Sequence, residues 1–124
     1  GEQMEMEDIN NNSFMPESCM TGSVEDFYTA MEKEEAHFKK ILDAAIAAGK
    51  KLKFVASYDK GKTAVGLQQV DGQSDFYHLY GKDNVVLFYT DRYPEQPLVV
   101  KGAGAGAAVT ASGVFADIIR AAGN

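Results

Sequence analysis

Apolar residues recur every three or four positions through the second quarter of the chain, which is the spacing of an amphipathic helix. Ser23 precedes this series and acidic residues follow it directly, a combination typical of a helix N-cap and first turn. Gly49 then supplies a C-terminal stop signal. The pattern predicts one long helix over about residues 24–48, with one buried face. With its cap and its stop signal, the helical segment is 23–49.

The period of the apolar residues changes to two in the segment 51–101, which indicates strands. The polar residues 59–62 form a turn at the distance that joins two strands of a hairpin. The strand at 84–90 is apolar on both faces, so we expect it to be central and covered by both helices or by a partner chain. The predicted sheet segments are 51–58, 63–70, 76–80 as a short aromatic strand or bend, 84–90 and 98–101.

The N-terminal segment 1–22 carries a weaker pattern. Met4 and Met6 alternate with acidic residues, which predicts an edge strand, and the polar residues after them predict a loop. Apolar residues at helical spacing predict a second helix over 110–123. Strands that lie contiguously between two helices argue for an α+β fold, here one domain over 1–124, with a mainly antiparallel or mixed sheet of four or five strands.

Composition limits the partners that this chain can bind. The formal net charge is −6, so the field of the protein repels phosphate backbones, and neither nucleic acid nor an acidic membrane surface is an expected partner. No apolar run approaches the roughly 20 residues of a membrane span, and the acidic N-terminus does not resemble a signal peptide. Cys19 is the single cysteine, which favours a reducing, cytoplasmic setting.

The two histidines are candidates for chemistry, but neither lies in a specific motif. Residues 32–37 combine carboxylates with His37, yet one histidine without a second at metal-binding spacing favours a solvated charged face. His78 stands between aromatic and apolar neighbours, where a packed side chain at a sheet rim is more common than a catalytic base. We therefore predict no catalytic and no metal-binding residue in this chain.

A strand, a glycine-rich loop and a helix follow one another near the C-terminus. Gly102, Gly104, Gly106 and Ala107 lie in the predicted loop 102–109, where the order of elements presents backbone N–H groups to an anion. The spacing Gly-x-Gly-x-x-Ala also matches a dinucleotide-binding fingerprint. No second strand follows the helix, so the chain cannot complete a Rossmann unit, and close packing of the helix on the sheet is the alternative explanation.

The same residues carry a resemblance to a known family. The residues that carry it, 98–120, are Leu-Val-Val-Lys-Gly-Ala-Gly-Ala-Gly-Ala-Ala-Val-Thr-Ala-Ser-Gly-Val-Phe-Ala-Asp-Ile-Ile-Arg. This run closely resembles the C-terminal end of homoserine dehydrogenases, especially those fused to aspartate kinase. The resemblance covers about residues 52–122 well and the first 50 residues loosely. The segments that are similar to the preceding strands of that family are 53–58, 65–70, 76–79 and 84–94.

The resemblance implies an NADP- or NAD-dependent interconversion of aspartate semialdehyde and homoserine, in threonine and methionine biosynthesis. It implies that Gly102, Gly104, Gly106 and Ala107 form a loop that closes over the nicotinamide end of the cofactor, and that the last helix packs on the nucleotide-binding domain. The sheet is implied to build a homodimer. The catalytic Lys and the substrate-binding Asp and Glu of the family have no match here and are implied upstream, so we expect an inactive C-terminal fragment.

Without the resemblance, the residues leave another function open. A small acidic α+β module with an exposed apolar sheet face is also suited to bind a metabolite or a protein partner. Regulatory amino-acid-binding domains have this size, but their strand–helix–strand alternation is not evident here. A self-contained enzyme is disfavoured, because no catalytic set of side chains is recognisable.

Overall fold

The computed structural model describes residues 3–123, which form an α+β structure of three helices and five strands. The chain divides between residues 77 and 78 into two compact units. The first unit contains two helices and a three-stranded sheet. The second contains a two-stranded sheet and one helix. The expected single sheet of four or five strands is therefore not observed in the described residues.

The predicted long helix is interrupted. It forms two helices, α1 at Val24–Lys33 and α2 at Glu35–Ala47, and the residue between them, Glu34, has φ −93° and ψ 12°, outside the α-helical minimum. The Ser18 hydroxyl donates to the Glu34 carboxylate at 2.8 Å. The sequence gives no local signal for this interruption, because no Gly or Pro lies there and the contact with Glu34 comes from Ser18, outside the helix. The apolar spacing alone therefore predicted an uninterrupted helix.

The start of α1 agrees with the sequence pattern. The backbone N–H of Asp26 donates to the Ser23 hydroxyl at 3.2 Å, and the Asp26 carboxylate accepts from the Ser23 backbone N–H at 2.9 Å. This reciprocal pair is a capping box, which satisfies two N–H groups that the first helical turn leaves without partners. The hydrogen bonds from the Ser23 backbone and side chain lower the pKa of Asp26 below its ordinary value of 3.8.

We expect the capping box to make the stability of the first unit depend on pH. A carboxyl group whose pKa is lower in the folded than in the unfolded state contributes stability above the unfolded pKa, and that contribution is lost as the pH falls through the folded value. The wild-type protein should lose this contribution between about pH 5 and pH 2, a range that includes the ordinary pKa of an Asp side chain. Asp26→Asn should reduce that loss of stability. Urea unfolding followed by circular dichroism measures this slope.

Glu25→Gln is the matched control for that measurement. It removes a neighbouring carboxylate from the same helical turn and leaves the Ser23–Asp26 pair in place. An equal change of the acid slope in both variants would contradict the assignment of the effect to the cap.

The three-stranded sheet has the order β1-β3-β2, with β1 at Ile9–Asn12, β2 at Lys51–Asp59 and β3 at Lys62–Val70. β2 and β3 form the predicted antiparallel hairpin. Lys60 and Gly61 both have positive φ, 48° and 80°, as the two central residues of a type I′ turn require.

The N-terminal strand lies later in the chain than predicted. Met6–Asp8 form a 3₁₀ turn, and the strand is the following Ile9–Asn12, which pairs in parallel with β3. A β-carbon at Gly66 would come within 2.9 Å of the Asn12 carbonyl oxygen, so glycine allows this close pairing. The strand is formed by backbone pairing with a distant element, which side-chain alternation does not report.

Aromatic rings connect α2 with the sheet of the first unit. The Phe14 ring lies 6.4 Å from that of Phe38 and 6.3 Å from that of Phe54, both in edge-to-face geometry. Phe54 is nevertheless 63% exposed and Tyr58 60% exposed. The buried apolar residues described in this unit are Cys19, Ala45, Val55 and Val70.

The second unit pairs β4, Asp83–Thr90, with β5, Tyr93–Ala103, in antiparallel orientation. In the aromatic segment 76–80, residues 76–78 form a turn and residues 79–80 have no regular secondary structure, so the segment is not a strand. β5 begins before the predicted residue 98 and includes two prolines, which an edge strand tolerates. Val86 and Phe88 are 50% and 45% exposed, so the expected covering of β4 by helices is not observed in the described residues. Covering by a partner chain stays a prediction.

The C-terminal helix, α3, extends over Ala107–Ala122 and begins three residues before the predicted start at Thr110. The Thr110 N–H donates to the Gly106 carbonyl at 3.0 Å, which places the first helical hydrogen bond one turn earlier. All side chains of α3 are exposed, including those of Phe115 and Ile118. Within residues 3–123, no helix combines the length and the apolar character that crossing a membrane requires.

Candidate functional site

The glycine-rich segment is extended where it leaves β5. Gly102 and Ala103 are the last residues of the strand, and they lie opposite Asn84 and Asp83 of β4. The Gly104 N–H donates to the Lys82 carbonyl at 3.0 Å, so the pairing continues one residue beyond the strand. The predicted loop 102–109 is therefore shorter than expected: it contains residues 104–106, between β5 and α3.

The alternation Gly-Ala-Gly-Ala-Gly follows from this extended geometry. Successive residues of an extended chain point to opposite faces, so Gly102 and Gly104 share one face and Ala103 lies on the other, and Gly106 follows in the loop. We call the surface formed by Gly102, Gly104 and Gly106 the glycine face. The structure gives each of these glycines a different reason to lack a side chain.

Gly104 faces the Asn84 side chain. A β-carbon built on Gly104 would overlap the carboxamide of Asn84, with the Asn84 Oδ1 atom at 3.0 Å and the other carboxamide atoms closer. A residue larger than glycine at position 104 therefore requires Asn84 or the loop to move.

Gly106 is required by its backbone conformation. It has φ 126° and ψ 149°, a region that is essentially restricted to glycine. A β-carbon there would also lie 2.6 Å from the Lys82 Nζ atom and 3.4 Å from its Cε atom. Lys82 and Asn84, two positions apart on β4 and the turn before it, thus cover two successive glycines.

Gly102 has no comparable restriction. A β-carbon at this position would meet no atom of the described chain within 4 Å, and Gly102 is not among the glycines with positive φ. The space above Gly102 is therefore open to a molecule that approaches the glycine face.

The N-terminus of α3 borders the glycine face. Ala107 is the first helical residue, Gly106 provides no side-chain cap, and the first turn contains no acidic residue. The partial positive charge of a helix N-terminus therefore stays without a carboxylate from the first turn, and the Lys82 ammonium lies beside it. This arrangement suits a polar or anionic group, but its backbone donors supply no acid or base for catalysis.

The other candidates from the sequence, the two histidines and Cys19, do not form a functional site in the described residues. The His37 Nε2–H donates to the Phe14 carbonyl at 2.9 Å, which gives this ring a structural role. Among residues 3–123, no group of three or more His, Cys, Asp or Glu side chains is placed to hold a metal ion. The His78 carbonyl accepts from the Lys101 Nζ atom at 3.5 Å, within the turns before β4. Cys19 is 3% exposed and therefore inaccessible to reagents in solution.

Sequence reasoning missed Lys82 and Asn84. They belong to a turn and strand start that were interpreted only as punctuation, 20 residues or more before the glycines that they cover. A signal was available: once the last strand is paired with 84–90 as a hairpin, the period of two places residues 82 and 84 on the same face as the glycines.

Comparison with known proteins identifies the family. The family model described as homoserine dehydrogenase matches residues 1–119 of this chain. A bifunctional aspartokinase/homoserine dehydrogenase from Haemophilus influenzae is 35% identical over 121 residues, which are 97% of this chain and 15% of that protein. A homoserine dehydrogenase from Paracoccidioides brasiliensis is 43% identical over 100 residues, 79% of this chain and 27% of that protein.

A solved structure has the same fold. The crystal structure of a protein of unknown function from Candida auris matches 90% of this chain with a TM-score of 0.75 and 37% sequence identity. The match covers 32% of that protein. In both comparisons the chain thus spans only a minor part, less than a third, of the length of the relatives.

Proposed function

Because this chain belongs to the homoserine dehydrogenase family, we propose that it is part of an enzyme that interconverts L-aspartate 4-semialdehyde and L-homoserine in threonine and methionine biosynthesis. The family match over residues 1–119 favours this function over a separate metabolite-binding or regulatory module. Fusion to an aspartate kinase is supported by the bifunctional relatives, whereas relatives such as the Paracoccidioides protein carry the dehydrogenase name alone.

The role that we propose for this chain is to present the glycine face to the cofactor. Gly102, Gly104, Gly106 and Ala107 are the proposed cofactor-facing residues, and the open space above Gly102 is the observation that carries the proposal. The residues fit a flat or polar group, because no side chain projects at Gly102 and the N-terminus of α3 offers N–H donors. When bound, NADP or NAD supplies hydride transfer, and this chain's residues limit how closely the cofactor approaches.

The proposal also gives partners to surfaces that are exposed in the described chain. We propose that the apolar stripe of α3, which includes Phe115 and Ile118, packs on the nucleotide-binding domain of the full-length protein. We propose that the sheets contribute to a homodimer, which is supported by the exposed apolar side chains of Phe54, Tyr58, Val86 and Phe88. A cytoplasmic location fits a chain whose single cysteine is free and buried.

Gly102→Val in the full-length protein tests the proposed cofactor contact. Valine suits an extended strand and its β-carbon meets no atom of residues 3–123 within 4 Å, so we expect unchanged thermal unfolding. The cofactor KM should rise at least about tenfold, the factor that corresponds to roughly 1.4 kcal/mol of lost binding. Steady-state kinetics with varied NADP or NAD at saturating homoserine measures this change.

Ala103→Val is the matched control for Gly102→Val. It adds the same side chain to the next residue of β5, on the opposite face. We expect a cofactor KM close to that of the wild type. Equal KM values in Gly102→Val and the wild type would contradict the cofactor-facing role of Gly102.

A further inference from the structure

Asn84 and Gly104 lie on the same face of the two-stranded sheet. Asn84 is paired with Gly102, and Gly104 follows two residues later, so Asn84 and Gly104 are diagonal neighbours. The right-handed twist of two-stranded sheets brings one pair of diagonal neighbours close together. The Asn84 side chain accordingly occupies the space that a side chain at position 104 would need.

This contact connects the start of β4 with the loop that leads into α3. The loop has one further attachment at the same point, the hydrogen bond from the Gly104 N–H to the Lys82 carbonyl at 3.0 Å. The Asn84 carboxamide fills the space on the side of Gly104 where a β-carbon would lie, and movement of the loop away from β4 breaks the hydrogen bond to Lys82. Position 104 is thus held from two sides by neighbouring residues of one segment.

We propose that Asn84 is a positioning residue for the glycine face. Its carboxamide lies against the side of Gly104 on which a β-carbon would stand, and so limits where residues 104–106 can lie beside the open position at Gly102. The inference rests on the proposed cofactor role of the glycine face and adds the residue that determines its geometry. It also gives the two glycines different roles. Glycine is needed at position 104 because the Asn84 side chain occupies the space of a β-carbon there, whereas the space at Gly102 is open to a ligand.

The inference predicts a dependence between two substitutions. Gly104→Ala alone introduces a methyl group into the space of the Asn84 carboxamide, so either the loop or Asn84 has to move. Asn84→Ala alone removes the carboxamide that lies against Gly104. In the double variant the alanine at position 104 finds the space empty, so the effect of Gly104→Ala should largely disappear in the Asn84→Ala background.

The test is a double-mutant cycle in the full-length protein, with cofactor KM, kcat and thermal unfolding measured for all four forms. We expect Gly104→Ala to raise the cofactor KM about tenfold, because the methyl group displaces the loop from the position in which it faces the cofactor, with kcat changed less than KM. The double variant should have a cofactor KM no higher than that of Asn84→Ala. A double variant whose KM equals the product of both single effects would overturn the inference.

Two further variants make the result specific. Asn84→Leu keeps the branched shape of the side chain and adds no charge, so we expect it to preserve the cofactor KM better than Asn84→Ala does. Gly102→Ala combined with Asn84→Ala is the matched control cycle, and we expect its two effects to multiply, because a β-carbon at Gly102 meets no atom of the described chain. Coupling of equal size in both cycles would overturn the assignment of Asn84 to Gly104.

The cycle also distinguishes failure of this inference from failure of the proposed function. If Gly104→Ala raises the cofactor KM and Asn84→Ala does not relieve it, the cofactor role stands and the positioning role of Asn84 is wrong. If Gly102→Val and Gly104→Ala both leave the cofactor KM unchanged in folded protein, the proposed cofactor role of the glycine face is wrong, and the inference falls with it.

Discussion

The purified 124-residue chain should show no measurable homoserine-dependent reduction of NADP⁺ or NAD⁺. Oxidation of an alcohol by hydride transfer needs a positioned group that accepts the hydroxyl proton. In the described residues, the ring of His37 is bonded to a backbone carbonyl and no metal-binding cluster is present. The glycine face offers backbone N–H donors, which do not accept a proton. We also propose that the catalytic lysine of the family is not among these residues.

The measurement compares the purified chain with the full-length protein at equal molar concentration, following absorbance of the reduced cofactor at saturating homoserine. The full-length protein is the positive control for substrate and cofactor quality. A rate that scales with the concentration of the purified chain, and survives an additional purification step, would contradict the expectation. Such a rate would mean that the described residues contain an acid or base that the structure has not revealed.

Phe115→Asp in α3 should destabilise the full-length protein strongly and the isolated chain hardly at all. Phe115 is 64% exposed in this chain and belongs to a stripe of apolar residues at helical spacing, which also contains Val114, Ile118 and Ile119. If this stripe packs on the nucleotide-binding domain, the substitution removes a buried aromatic ring and buries a charge. The expected loss of stability is about 3 kcal/mol or more, with loss of cofactor binding.

The same substitution in the isolated chain should leave the thermal unfolding nearly unchanged, because exposed side chains contribute little to stability. Ala116→Asp is the matched control, since it adds the same charge to α3 away from the apolar stripe. It should be tolerated in both proteins. Wild-type stability and cofactor binding of full-length Phe115→Asp would show that α3 has no apolar partner there.

Much of the fold was predictable because its signals are local. The Ser23 cap, the hairpin turn at 60–61 and the apolar spacing of α3 depend on residues within one or two turns of each other. The division of the long helix at Glu34 was not predictable in this way. It coincides with a hydrogen bond from Ser18, and helical periodicity hardly changes when a single residue alters its ψ.

At the candidate site, too, some features of the glycine segment were predictable from local sequence and others depended on contacts with distant residues. Its residues and order were recognisable from the sequence, and the family resemblance from the same run is confirmed by the family match over residues 1–119. The extent of the loop was wrong, because pairing with β4 extends the strand to Ala103 and α3 begins at Ala107. Which glycine is required by the chain, and which is open, depends on Asn84 and Lys82.

By itself, the sequence determined the α+β class, the hairpin, the positions of the helices within a few residues and membership of the homoserine dehydrogenase family. These properties follow from short-range periodicity, turn residues and a specific motif. Only the tertiary structure decided that β1 pairs in parallel with β3, that the strands form two sheets, and that Gly104 faces Asn84 while Gly102 stays open. These features are contacts between residues distant in sequence, and such contacts depend on how far apart whole elements lie.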